Sequence, residues 1–367
     1  MSQVRRHFVT DDPRIVRGIL QDTGRHRKTR KRRPVFGRGI VTSEGKAWEA
    51  QRALARDFFN AALAERIKAV ARSRTEEMLR DWARSGPERA CRPEMSRLVL
   101  GIMGEALFGV DPRPWEDVFE RALAVLLPPK PSTARLLWHR LSRGSSSPYV
   151  AALRDLEKLV DWLCRKAPPG SLTRHLADAA IEGIPLREQV STYLLASTDT
   201  TATFLSWTMA LWAWNPAAQQ RSRTDSAYRD ACLQESLRLF PPIWRMARRA
   251  EHADPALGIR KGEEVIFLPY LLHRHRDYWT EPDRFRPERF LSEAEAARGR
   301  PAFLPFGAGP RACPGAALSL RTGQIVTALV LHRFSWEPAS GSFPVPEPLF
   351  TLRPHGGVPI RITARST

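Results

Sequence analysis

The sequence predicts a mainly α-helical fold with a minor β component. Amphipathic segments at helical spacing dominate the chain. One largely apolar stretch runs from Leu186 to Asn215 before Pro216 stops it, and about 30 residues of helix span about 45 Å, enough to cross a domain. Strand-like runs are confined to two short segments, Glu264 to Phe267 and Val358 to Ile362. No internal repeat or low-complexity tail interrupts this pattern, so residues 1–367 are expected to form one mostly helical domain.

In chain order, an early helix is expected from Asp12 to Leu20. The run Arg25-His26-Arg27-Lys28-Thr29-Arg30-Lys31-Arg32-Arg33 follows and reads as a solvated basic loop. Leu63, Ile67, Val70, Met78 and Trp82 mark one face of a helix, as do Val150, Leu153, Leu156, Val160 and Leu163. Loops are expected at Pro128 to Ser132, Ser142 to Pro148 and Pro168 to Ser171, where proline and serine cluster. The segment Ala231 to Phe240 is largely apolar and ends at Pro241-Pro242. The apolar run Ala316, Ala317, Leu318, Leu320, Ile325, Val326, Leu329 and Val330 supplies the last helix.

The composition is that of a globular protein, 43% hydrophobic and 26% charged. Cys91, Cys164, Cys232 and Cys313 lie far apart and form no Cys-x-x-Cys pair, so neither a zinc site nor a disulfide framework is suggested, and a reducing cytoplasm fits best. No window approaches the 18–20 or so apolar residues of a membrane span, and the N-terminus lacks the apolar core of a signal peptide. The net charge of +19 suits an acidic protein partner. Nucleic acid is the remote alternative, since no binding module and no interleaved aromatics accompany the basic run.

The segment Phe306-Gly307-Ala308-Gly309-Pro310-Arg311-Ala312-Cys313-Pro314-Gly315 is a glycine-rich loop presenting one cysteine just before a helix. A thiolate there gains from the positive helix end and from backbone N–H groups. Gly309 and Gly315 are expected to let the main chain approach a flat ligand with angles that a β-carbon hinders. Arg311 can reach an anionic group at the ligand edge. Such a loop suits an axial thiolate on haem iron. It resembles the haem-ligand loop of the cytochrome P450 family, Phe-x-x-Gly-x-Arg-x-Cys-x-Gly, with Phe306, Gly309, Arg311, Cys313 and Gly315 at the fixed positions.

Further motifs carry the same resemblance, in the family's order. Trp48-Glu49-Ala50-Gln51-Arg52 looks like the Trp-x-x-x-Arg helix that grips a haem propionate, with an indole N–H and a guanidinium one turn apart. Arg248 matches a further propionate-binding arginine, with Arg249 a near-equal candidate. Glu235-Ser236-Leu237-Arg238 taken singly is an ordinary i,i+3 pair. Together with Arg289 of Phe285-Arg286-Pro287-Glu288-Arg289-Phe290 it resembles the buried charge network that braces the haem loop, with His273 and Trp279 nearby as structural residues. Ala196-Ser197-Thr198-Asp199-Thr200-Thr201 resembles the oxygen-activation motif, with Asp199 as acid and Thr200 as alcohol. Its hydroxyls can bond back to the preceding turn and open the helix locally. Ser197 stands where the family usually has glycine.

The resemblance implies the cytochrome P450 fold and a bacterial-style haem-thiolate monooxygenase carrying heme b. Its partners would be a small apolar organic substrate, O2, and a ferredoxin or flavodoxin with its reductase, in the cytoplasm. A peroxide-driven or non-catalytic haem protein of the same fold is the alternative. Phe58 to Pro185 matches only as a pattern of helices, so the resemblance says nothing of specificity there. Met1 leads almost directly into the early helix, so the family's N-terminal helix and first two strands are not expected here; either the start is misassigned or part of the small sheet is lacking.

Overall fold

The computed structural model describes residues 7–126, 147–339 and 341–365. Eleven helices of eight or more residues occur among them: α1 (Pro13–Gln21), α2 (Gly45–Phe58), α3 (Ala61–Arg84), α4 (Cys91–Met103), α5 (Glu116–Leu126), α6 (Pro148–Lys166), α7 (Leu172–Ala179), α8 (Leu186–Ala213), α9 (Pro216–Thr224), α10 (Ser226–Leu239) and α11 (Ala316–Arg333). Sequence logic sets several of their starts. Asp12 caps α1 through the Arg14 N–H (2.7 Å) ahead of Pro13, and Asn60 caps α3 through the Leu63 N–H (3.2 Å). The loop at Pro168 to Ser171 is present. The predicted loop at 128–132 and most of that at 142–148 lie outside the described residues, and Pro148 is already the first residue of α6.

Helix α8 is the axis of the molecule. It is apolar nearly all round, as a helix surrounded by others must be, and packs against α4, α6 and α10. Helix α11 lies along α3. One apolar core runs through these helices, with the Trp207 and Phe240 rings stacked 3.8 Å apart between α8 and the end of α10.

The strands are β1 (His7–Thr10), β2 (His26–Lys28), β3 (Glu88–Ala90), β4 (Met246–Ala250), β5 (Glu264–Phe267), β6 (Phe334–Pro338), β7 (Pro346–Pro348), β8 (Leu352–Pro354) and β9 (Pro359–Ala364). They form three sheets: β1-β5-β4-β2, β3-β9-β6 and the hairpin β7-β8. Of these, β5 and β9 were legible as strands in the sequence. β1 and β2 were not, and β2 in particular is three residues inside a basic run, too few to display an alternation. The basic run is therefore not a loop throughout: its centre is β2, paired antiparallel with β4 so that Lys28 faces Arg248 and His26 faces Ala250. His26 is buried while Arg25 and Arg27 point outward, the two-residue period of a strand.

A second, smaller core packs Val16, Ile19 and Leu20 of α1 against Val265 and Phe267 of β5, and reaches Leu304 just before the cysteine loop. This core seats α1, the four-stranded sheet and that loop against one another. Among the described residues no helix is long and apolar enough to cross a membrane.

Candidate functional site

The cysteine loop is held by its own backbone. Gly307 N–H donates to the Leu304 carbonyl (3.1 Å), Ala312 N–H to that of Gly309 (3.0 Å), and Cys313 N–H to that of Phe306 (2.9 Å). Gly307 and Gly309 have φ of +72° and +70°, where a β-carbon is strained. A β-carbon on Gly309 would lie 2.4 Å from the Leu20 carbonyl oxygen. Glycine is thus required at 309, but the surface it approaches is the end of α1 rather than a ligand. The expectation fails for Gly315, whose φ of −92° suits any residue and whose β-carbon would sit at an ordinary 3.9 Å from the Cys313 sulfur.

Of the four cysteines, Cys313 alone is exposed. Protein still crowds its sulfur enough that burial is the largest influence and pushes the thiol up. The Gly315 N–H, the Arg52 guanidinium and the Lys28 ammonium oppose it. Cys91, by contrast, is fully enclosed and pushed far up, and Cys232 is pushed up to about 12. Only Cys313 combines access with neighbouring cations and a backbone donor, the setting that favours a thiolate ligand.

A second cluster lies to one side of the sulfur. Lys28, Arg248 and Arg311 converge there, with Glu44 as their one carboxylate neighbour. Burial, then Arg248 and Arg311, push Lys28 far below the ordinary lysine range. Burial and Arg311 bring Arg248 to about 10. Arg311 Nη2 donates to Glu44 Oε2 (2.6 Å) and to the Ser43 carbonyl (3.0 Å), while its guanidinium lies 4.3 Å over the Trp48 ring. Among the described residues its Nε and Nη1 are buried without a partner. The alternation along β4 separates the two candidates left open by the sequence: Arg248 is buried in this cluster and Arg249 is exposed. Trp48 lies under the Arg311 guanidinium, and the Arg52 charge lowers both the Cys313 thiol and the Tyr193 phenol. Lys28 and Glu44 escaped the sequence reading. The inward phase of His26 and Lys28 was the available signal.

Behind the loop, Glu235, Arg238 and Arg289 are fully buried. Arg238 Nε and Nη2 donate to the two oxygens of Glu235 (2.7 and 2.8 Å), and Arg289 Nε donates to Oε1 (3.1 Å). Spare guanidinium donors go to the carbonyls of His273, Pro282 and Thr280. His273 links this cluster to the loop: its Nδ1 bonds the Arg238 carbonyl (3.1 Å) and its Nε2 accepts the Leu304 N–H (2.8 Å). That arrangement requires a neutral ring, and burial pushes His273 down to about 3. Trp279 lies under both guanidinium groups, 5.2 Å from Arg238 and 5.8 Å from Arg289. The triad and its two structural neighbours are brought together as the sequence suggested.

Helix α8 runs unbroken through Ala196 to Thr201. Thr200 Oγ1 donates to the Ala196 carbonyl (2.7 Å) and Ser197 Oγ lies 3.4 Å from that of Leu194, so the hydroxyls bond back without opening the helix. Asp199 is fully buried. Its Oδ1 accepts Arg92 and Arg353 (both 2.7 Å) and its Oδ2 accepts the Thr351 hydroxyl (2.8 Å). Glu120 of α5 lies 3.7 Å from Arg92 and 3.8 Å from Arg353, closing a ring of two carboxylates and two guanidinium groups. Arg92, Thr351 and Arg353 come from α4 and the β8 region, and nothing near Asp199 in sequence announces them.

These residues fit a haem. Its iron needs one soft, accessible anionic ligand, which Cys313 could supply. Its carboxylates need convergent cationic donors, and the buried, unpartnered Nε and Nη1 of Arg311 beside Lys28 and Arg248 are such donors.

A family model described as Cytochrome P450 matches residues 184–358. A relative from Mycobacterium tuberculosis, described as a cytochrome P450, is 35% identical over 192 residues; the match takes in 47% of this chain and 41% of the relative, so the chain spans less than half of that relative's length. Cyclooctatin synthase from Streptomyces melanosporofaciens is 27% identical over 92% of this chain and 81% of its own. The crystal structure of a six-coordinated cytochrome P450 from Thermus thermophilus superposes with a TM-score of 0.80 at 29% identity, covering 98% of this chain and 92% of that one.

Proposed function

The chain belongs to the cytochrome P450 family, and from that premise we propose a haem-thiolate monooxygenase that inserts one oxygen atom from O2 into a small apolar organic substrate. The observation that carries this reading is the accessible Cys313 thiol next to a buried cationic cluster with unpartnered donors. Heme b would be held through the Cys313 sulfur, with Arg248, Arg311 and Arg52 placed to take its carboxylates. Bound there, the haem supplies the iron centre at which dioxygen is bound and reduced.

The remaining work falls to this chain's side chains. Glu235, Arg238, Arg289 and His273 keep the cysteine loop rigid, so that the sulfur stays where a ligand must be. Thr200, on the half-buried side of α8, presents a hydroxyl whose proton rests on the Ala196 carbonyl. Turning that hydroxyl away from Ala196 frees its proton for donation. Asp199 passes on a proton taken up from solvent once one of its arginines swings aside, because three of its roughly four lone-pair sites already accept Arg92, Arg353 and the Thr351 hydroxyl. A peroxide-driven enzyme needs no such relay, and the presence of both Asp199 and Thr200 favours the oxygen-driven reading.

The electrons come from a ferredoxin or flavodoxin with its reductase, in the cytoplasm. The charge of +19 favours an acidic docking partner. The test is the absorption spectrum of the reduced, carbon-monoxide-bound protein. A strongly red-shifted Soret band is expected, and Cys313→Ser should abolish it. Survival of the band in that variant would remove the thiolate assignment.

A further inference from the structure

Glu44 occupies the position before the first residue of α2, where a short acceptor commonly caps the helix, yet its side chain bonds no N–H of that helix. Its carboxylate spans two other elements instead. Oε1 accepts the backbone N–H of Lys28 in β2 (2.7 Å), and Oε2 accepts Nη2 of Arg311 in the cysteine loop (2.6 Å). Among the described residues it is therefore the one side chain that bonds both the strand that carries Lys28 and the loop that carries Cys313.

The consequence is felt at Arg311. Glu44 and the Ser43 carbonyl occupy one nitrogen, and Trp48 supports the guanidinium face. The geometry thus fixes the group while leaving Nε and Nη1 buried and unpartnered. Buried donors in that state are costly until an anion accepts from them. Lys28 and Arg248 stand beside it, paired across β2 and β4. Lys28, Arg248 and Arg311 outnumber the one carboxylate beside them, so the cluster has donors to spare for the two carboxylates of a haem.

We propose that Glu44 is a positioning residue for the haem edge: its carboxylate clamps Arg311 and the β2 backbone so that the free donors of Arg311 and Lys28 converge on the haem carboxylates. The inference rests on the haem reading above. It gives a carboxylate, the charge that would ordinarily be kept away from a haem edge, a constructive place there. Glu44 touches no reacting atom. It acts through Arg311.

The experiment uses the full-length holoprotein and reads the rate at which haem transfers to excess apomyoglobin, together with the reduced carbon-monoxide spectrum. Arg311→Ala should speed haem loss on the order of tenfold, the range typical for loss of a supporting partner. Glu44→Ala should speed it several-fold. The double variant should lose haem no more than about twofold faster than Arg311→Ala, because Glu44 has little left to act on once the guanidinium is gone. Glu44→Gln keeps the volume and one acceptor oxygen for Arg311, so it should fall between wild type and Glu44→Ala. The red-shifted band should persist in all of them, since the thiolate is untouched. Haem loss from Glu44→Ala at or below the wild-type rate would overturn the proposal, as would multiplying effects in the double variant or a Gln variant as fast as Ala. A wild-type protein that takes up no haem would instead overturn the reading on which it rests.

Discussion

Glu235 accepts four hydrogen bonds: two from Arg238, one from Arg289 and one from the Arg286 backbone. With the three side chains fully buried, removing the carboxylate strands two guanidinium ions in the interior. Glu235→Ala should therefore cost about 3–5 kcal/mol of unfolding free energy in a denaturant titration; a loss below about 1 kcal/mol would mean that the arginines find water instead. His273 makes a pH prediction at the same scale. Its folded value of about 3 lies below the value near 6.5 of an unfolded histidine, so between those limits the unfolded chain binds the extra proton. Stability should fall by about 1.4 kcal/mol for each pH unit below about 6.5, on account of this residue, and be unaffected by it above that point. His273→Gln should reduce the slope of stability against pH in that window by one proton. An unchanged slope would show that the ring is already solvated.

Helix α8 carries the element-scale chemistry. The Ser197 and Thr200 hydroxyls bond back to the preceding turn, and the helix passes straight through the stretch that the sequence suggested would open. Thr200→Ala removes one partly exposed hydrogen bond and should change stability by about 1 kcal/mol or less. Its larger effect is expected on coupling: product formed per electron pair consumed should drop several-fold while haem content stays normal. Full coupling in that variant would exclude Thr200 from proton delivery. The same helix is pinned from its far side by the C-terminal hairpin, through the Trp207 indole to the Leu352 carbonyl (2.6 Å) and the Thr203–Thr351 hydroxyl pair (3.2 Å). Those contacts bring Thr351 and Arg353 to Asp199.

At the scale of the molecule, the ring of Asp199, Arg92, Arg353 and Glu120 joins α4, α5, α8 and the β8 region at one point. Asp199→Asn leaves two guanidinium groups facing each other across a neutral amide, and should destabilise the protein by about 3 kcal/mol in equilibrium unfolding. Loss of activity without any loss of stability would mean that Asp199 serves chemistry but not the joint. The two cores meet at the cysteine loop as well: Leu304 belongs to the small core with α1 and the four-stranded sheet, while the His273 that accepts its N–H hangs from the charge triad. The loop is thus held from both sides, by glycine against α1 and by histidine against α10.

Much of this was legible along the chain. The helical class, the span of α8 and the strand Glu264–Phe267 are written in local spacing, because a helix face or a strand is defined by neighbours within a few residues. The sets around Cys313, Glu235 and Thr200 were legible only as motifs that resemble a known family's. What required the tertiary structure is long-range and ionic. Arg92 and Arg353 reach Asp199 across 107 and 154 residues, and Glu44 reaches Arg311 across 267. Charged residues carry no periodic signal that names a partner, and the basic run around Lys28 looks the same whether it is solvated or folded inward. Only the pairing of β2 with β4 decides that Lys28 joins Arg248 and Arg311. Sequence named the candidate groups for the chemistry; burial, which makes an unpaired charge too costly to leave alone, decided which distant groups hold them.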